Sequence, residues 1–91
     1  MRIDFEKVCM FVDVAHTTMV ERNIRKDFAD MIYNTGGGIE CHALALKVFN
    51  GNAETDYSER ECELMRQIVE RVGSPSIIDA VHQLTTVKEP Q

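Results

Sequence analysis

Cysteine and histidine are the residues of this chain best suited to nucleophilic or metal chemistry. The chain holds three of each: Cys9, His16, Cys41, His42, Cys62 and His82. Cys41 and His42 are adjacent, and neighbours on a helix project about 100° apart, so they cannot act as a nucleophile and its base. Zinc sites need closely spaced pairs such as Cys-x2-Cys, and none occurs here. The sequence therefore predicts no catalytic residue, no metal site, no cofactor and no enzymatic activity.

A run of three glycines, Gly36–Gly38, precedes a predicted helix. Helix N-termini can bind anions through their free amides. A P-loop, however, also needs a preceding strand and a Gly-Lys-Ser/Thr end, and the next lysine is Lys47. We interpret the run as a turn between two helices. The alternative is a small-ligand or anion site formed by Gly37, Gly38, Lys47 and Arg25.

The charged residues suggest a possible interaction surface. A basic cluster near the start of one predicted helix consists of Arg22, Arg25 and Lys26. An acidic cluster in the first turns of a later predicted helix consists of Glu59, Glu61 and Glu63. Such clusters are most often solvated helix ends. Opposite signs on two surfaces of one chain can also bring two subunits together, so the six residues are predicted interaction residues.

Composition restricts the class of protein. The 91 residues predict a single domain, 1–91, and the net charge of −5 repels phosphate backbones, so no nucleic-acid partner is expected. The apolar run Val8–Val12 is far shorter than the roughly 20 residues of a membrane span, so no membrane association is expected. Three widely spaced cysteines do not form a disulfide framework. We expect a cytoplasmic, acidic protein with reduced thiols.

The C-terminal half gives the clearest helix signals. Ser58-Glu59-Arg60-Glu61 is a capping box and predicts a helix over about 59–72, with Gly73 as a left-handed C-terminal stop. Ser74 and Pro75 have the residue types of an N-cap and a first helical position, and they predict a last helix over about 75–86. Residues 87–91 are expected to form a frayed tail.

The N-terminal half predicts two more helices and a hairpin. Asn23 is the predicted cap of a helix over about 24–35, and a second helix over about 38–50 is apolar almost all round, which is typical of a central helix. Residues 6–21 alternate in a way that favours a β-hairpin, although Phe5, Val8, Val12 and Ala15 also fit a helical face. The predicted fold is mainly α: a compact four-helix unit preceded by a short β-hairpin or a fifth helix. It is α+β if the hairpin forms.

Residues 44–84 resemble small proteins encoded by tailed phages and prophages. The resemblance rests on Leu44–Phe49, Ser58–Glu61, Leu64–Arg66, Pro75 and Ile77–Ile78. It implies a short β-ribbon before the helices, but no established activity and no catalytic residues.

These features together lead to one expected function and one alternative. A domain of this size buries only roughly 60–65% of its unfolded surface, and pairing would enlarge its modest core. We expect a non-enzymatic protein-interaction or oligomerisation module of phage or mobile-element origin, with a protein partner or self-association. The alternative is the small-ligand or anion-binding protein described above.

Overall fold

The computed structural model describes residues 1–85. A two-stranded antiparallel sheet comes first and four helices follow: β1 Val8–Phe11, β2 Met19–Arg22, α1 Arg25–Thr35, α2 Gly38–Phe49, α3 Glu59–Val72 and α4 Pro75–Thr85. The predicted fold class, four helices preceded by a hairpin, is confirmed. The predicted frayed tail and the last residue of the final predicted helix lie outside the described residues.

The N-terminal segment forms the predicted hairpin and not the alternative helix. Its side chains alternate between the core and solvent, as they do in a strand. Val8 and Met10 are buried, whereas Cys9 between them is exposed. The ladder runs from Val8 opposite Arg22 to Phe11 opposite Met19. A strand pairing of this kind hides one face only, which is the pattern that period-two alternation predicts.

The turn of the hairpin is held by Asp13 rather than by a glycine. The Asp13 carboxylate accepts hydrogen bonds from the backbone amides of Thr17 and Thr18, at 3.0 and 3.1 Å, and from the Thr17 hydroxyl. The hydrogen bond from the Thr17 hydroxyl contributes most to lowering the pKa of Asp13 below its ordinary value. His16 takes the left-handed conformation that the turn requires, with φ at 57°.

Two of the predicted helix ends are wrong in detail. Gly73 is extended, with φ −78° and ψ 155°, and not left-handed; glycine is needed there because a Cβ would lie 2.7 Å from the Val69 carbonyl oxygen. Ile24, not Asn23, occupies the N-cap position of α1. The Asn23 side chain instead accepts a hydrogen bond from the Arg25 amide at 3.1 Å, in a turn just before the helix.

The capping box of α3 is confirmed. The Ser58 hydroxyl accepts from the Glu61 amide at 3.1 Å, and the Glu61 carboxylate accepts from the Ser58 amide at 2.8 Å. We expect Ser58→Ala to lower the free energy of unfolding by about 1 kcal/mol, because one helix amide loses its acceptor. Urea denaturation followed by circular dichroism measures this loss. Ser58→Asp is the control, since aspartate also caps helices, and equal losses in the two variants would contradict a capping role.

One hydrophobic core joins β1 and the four helices, whereas β2 contributes no buried residue to it. The helix α1 packs on α2 and α3, α3 packs on α4, and β1 packs on α4. Three aromatic rings from separate segments meet within this core: Phe28 lies 5.1 Å from Phe5, and Phe5 lies 5.7 Å from Tyr57, between ring centroids. Burial, with the nearby Glu61 carboxylate, raises the pKa of Tyr57 to about 12.

The helix α2 is not central, contrary to its sequence pattern. Its core side consists of Cys41, Leu44, Ala45 and Val48, all buried. On its other side Ile39 is 81% exposed, Leu46 48% and Phe49 43%. Apolar residues surround the helix, but the described part of the chain covers only one side of it.

Candidate functional site

The predicted ligand site around the glycine run does not form. Gly37 and Gly38 begin α2 and face open space, with no heavy atom within 4 Å of a Cβ built on either. Lys47 and Arg25 lie near the opposite end of this twelve-residue helix, on the order of 15 Å away. The structure therefore does not bring the four predicted ligand-binding residues together at one place.

Both of the cations in that prediction contact groups of their own chain. The Lys47 ammonium donates to the Glu61 carboxylate at 2.8 Å and lies 5.0 Å from the centroid of the Tyr57 ring. The Arg25 guanidinium donates to the backbone carbonyl of Phe49 and lies over the Phe49 ring, 5.5 Å from its centroid. Each of the two side chains therefore already makes a contact within its own chain.

Most of the predicted interaction charges are also paired within the chain. Four of the six form ion pairs: Arg25 with Glu6, Lys26 with Asp30, Glu61 with Lys47, and Glu63 with Arg60. Arg22 and Glu59 form no ion pair among residues 1–85. A surface pairing between subunits that depends on all six would have to break these contacts.

The Lys47–Glu61 pair gives the protein a predictable acid sensitivity. Burial by itself would raise the pKa of the Glu61 carboxyl, but hydrogen bonds from the Lys47 ammonium and the Ser58 amide bring it below its ordinary value of 4.5. A carboxyl whose pKa is lower in the folded state stabilises the fold above its unfolded pKa. This stabilisation is lost as the pH falls through the folded pKa.

We therefore expect Glu61→Gln to flatten the fall in unfolding free energy below about pH 4.5, because the variant has no carboxyl at this position to protonate. Glutamine keeps the capping hydrogen bond to the Ser58 amide. Urea denaturation at a series of pH values measures the slope. Glu59→Gln is the control, since it removes the same charge from the same turn without touching Lys47. Identical slopes in the two variants would contradict the assignment.

The cysteines and histidines do not assemble into a metal site within the described residues. Cys41 and Cys62 are buried, Cys9 is exposed, and all three thiols are free. No group of three or more metal-ligating side chains occurs in this part of the chain. Cys62 lines a groove of about 750 Å³ with His82, but burial raises the pKa of the Cys62 thiol, which disfavours the thiolate that nucleophilic catalysis needs.

The exposed side of α2 carries a regular stripe that we call the α2 seam: Ile39, His42, Leu46 and Phe49. The intervals between them are three, four and three residues, the spacing of the contact positions in a coiled coil. At 100° per residue, the seam lies roughly 130° around the helix axis from the buried side of α2. The helix thus has one apolar side for its own core and a second that faces solvent.

The helix α1 extends this apolar surface. Tyr33 is 60% exposed, and its ring lies 5.9 Å from the His42 ring, between centroids. A shallow depression of about 240 Å³ lies between the two helices, and its lining consists of the buried Ala29 and Ala45 together with Asp30, Tyr33, Leu46 and Phe49. The α2 seam and Tyr33 therefore form one continuous surface, and it is the candidate functional site.

The sequence contains a signal for this site in the pattern of α2. The apolar residues of α2 fall into two stripes with helical spacing, one containing Leu44 and Val48 and the other Ile39 and Leu46. The prediction of a central helix that is apolar almost all round merges these two stripes into one surface. Two separate stripes on one helix indicate two separate contacts, of which the described chain supplies one.

Comparison with known proteins gives no match: no family model, no curated protein and no solved structure is significantly similar to this chain. Within residues 1–85, none of the helices is both long enough and apolar enough to cross a lipid bilayer.

Proposed function

We propose that this protein is a non-enzymatic protein-interaction or oligomerisation module that binds its partner through the α2 seam and Tyr33. The observation that carries the proposal is the exposure of three large apolar side chains and one tyrosine on a single surface of two packed helices. Contiguous exposed apolar surface of this kind is typical of interaction sites between proteins. The three free cysteines support a reducing, cytoplasmic location, and the resemblance of residues 44–84 supports a phage or mobile-element origin.

The exposed area is large enough to contribute to specific binding. Large apolar and aromatic side chains bury roughly 150–250 Å² each, and about half of that surface remains exposed here, which gives roughly 400 Å² for the four. Covering it gains on the order of 10 kcal/mol before the costs of association. Those costs are of order 4–15 kcal/mol and offset much of this gain, so we expect the apolar surface alone to give moderate affinity. Tighter binding would need additional polar contacts at the rim of the interface.

Site-specific photocrosslinking in the cells that naturally make the protein tests the proposal. We expect a photoreactive amino acid at Leu46 to yield discrete adducts of higher mass, because this residue lies at the centre of the proposed surface. Val72, at the end of α3, is the matched control, since it is equally apolar and 47% exposed. Absence of adducts at Leu46, or equal adducts at both positions, would overturn the proposal.

The hairpin tip is the competing apolar surface, and the same experiment separates it from the α2 seam. Val12, Val14 and Met19 are exposed there, and Val14 has no covering at all. These residues lie in the turn and at the end of a strand, and not in a stripe along one helix. Adducts at Val14 with none at Leu46 would assign the interaction to the hairpin instead.

A further inference from the structure

We infer that the partner that covers the α2 seam is α2 of a second copy of this chain, packed antiparallel to the first. This inference rests on the proposed function and names the partner of the same site. Three observations support it: the spacing of the seam, its lack of charge, and its area. Each is independent of the others.

The spacing of the seam suits a helix of the same sequence. The midpoint between Ile39 and Phe49 is residue 44, so a two-fold axis there places Ile39 of one copy opposite Phe49 of the other. The same axis places His42 of one copy opposite Leu46 of the other. Intervals of three and four residues are those at which side chains of one helix fit between side chains of another. A two-fold interface must be self-complementary in this way.

The antiparallel direction is favoured over the parallel one by His42. In a parallel pair the two His42 side chains would face each other in the centre of the seam, and two imidazoles would lose water together, which costs free energy unless each finds a partner. In the antiparallel pair each imidazole meets a leucine near its own Tyr33 ring. Antiparallel helices also place the positive end of one helix dipole beside the negative end of the other.

The local charge explains why a second copy can approach on this side. The chain has a net charge of −5, so two copies repel each other over most of their surface. The α2 seam itself contains no aspartate, glutamate, lysine or arginine. The charged groups beside it are paired within the chain: Arg25, which lies over the Phe49 ring, with Glu6 at 3.7 Å, and Lys26 with Asp30 at 3.1 Å. A basic protein partner would instead be expected to bind an acidic part of the surface.

The area fits a dimer of ordinary size. Stable interfaces bury about 800 Å² per partner, of which somewhat over half is apolar. The roughly 400 Å² exposed by the seam and Tyr33 supplies most of that apolar share, and the polar rim of α1 and α2 supplies the rest. Two α1–α2 helix pairs would then pack as four helices.

Sedimentation equilibrium of the purified full chain tests the inference first. We expect a reversible dimer, and we expect Leu46→Lys to weaken it at least 100-fold, because each dimer would bury two lysines against imidazole and aliphatic side chains. Val72→Lys is the control and should leave dimerisation unchanged. His42→Leu should strengthen the dimer about tenfold by replacing the polar residue of the seam, a gain that misfolding cannot produce.

Disulfide trapping then determines the direction of the helices. In a Cys9→Ser background, we expect a mixture of Ile39→Cys and Phe49→Cys chains to form a mixed disulfide, whereas neither variant crosslinks to itself. Like positions at the ends of an antiparallel seam lie on the order of 15 Å apart, beyond the reach of a disulfide. Self-crosslinking of Ile39→Cys would establish a parallel pair and overturn the antiparallel arrangement.

The outcomes separate this inference from the proposed function. A chain that stays monomeric in sedimentation, yet gives a discrete adduct to a different protein at Leu46 in cells, overturns the second copy as partner and keeps the interaction module. A monomer with no adduct at Leu46 overturns both. A dimer that Leu46→Lys leaves intact overturns the α2 seam as its interface.

Discussion

Replacing Phe28 by alanine is expected to lower the free energy of unfolding by about 3–5 kcal/mol. Phe28 is fully buried, and its ring contacts Phe5, which in turn contacts Tyr57. Removing it leaves a cavity between the N-terminal segment, α1 and the segment before α3. A domain of this length is stable by roughly 5–14 kcal/mol, so a large share of its stability would be lost. Urea denaturation followed by circular dichroism provides the measurement.

Phe49→Ala is the matched control, because it removes the same ring from a position that is 43% exposed. We expect it to cost the monomer less than about 1.5 kcal/mol, since little of its burial depends on the core. The same substitution should weaken dimerisation, whereas the loss in Phe28→Ala should appear as unfolding. Similar losses of monomer stability in the two variants would contradict the placement of Phe28 in the core.

Gly36→Ala is expected to cost about 1–3 kcal/mol, the range for forcing extra atoms into a packed site. A Cβ at this position would lie 2.6 Å from Cys41 Cβ, 2.8 Å from its Sγ and 2.9 Å from the Ile32 carbonyl oxygen. The obstacle is the end of α1 and a buried residue of α2, neither of which can move freely. The size of the loss reports how closely the two helices approach each other.

Gly37→Ala provides the control from the same glycine run. Nothing lies within 4 Å of a Cβ at position 37, and its φ of −100° is open to any residue. We expect this change to be neutral or to stabilise by up to about 1 kcal/mol, because alanine has less backbone freedom to lose on folding. If both substitutions had the same effect, the close packing around Gly36 would be contradicted.

The fold could be predicted from the sequence where a local rule fixed the result. Ser58 and Pro75 set the starts of α3 and α4 through their own hydrogen bonding and backbone geometry, and the structure confirms both starts. The alternation of Val8, Cys9 and Met10 indicated a strand with one buried face. These signals need no knowledge of distant parts of the chain.

The features that the sequence did not predict depend mainly on contacts between distant segments. The helical period of α2 showed that apolar residues surround it, but a period cannot tell which stripe meets the core and which meets solvent. The partner of Lys47 is Glu61, fourteen residues away and across a turn, so the sequence left this cation as a candidate ligand. Gly73 is a different case: its residue type suggested a left-handed stop, but its backbone is extended, and Val69 and Ile77, each four residues away, crowd it.

The contact between β1 and α4 constrains how the protein can fold during its synthesis. The ribosome makes the hairpin first and α4 last among the described elements, yet α4 packs directly on β1. A nascent chain that ends before Pro75 cannot make this contact, and it leaves apolar residues of the hairpin in water. The native core therefore closes only after α4 has been made, and until then the hairpin is a surface on which chaperones can act.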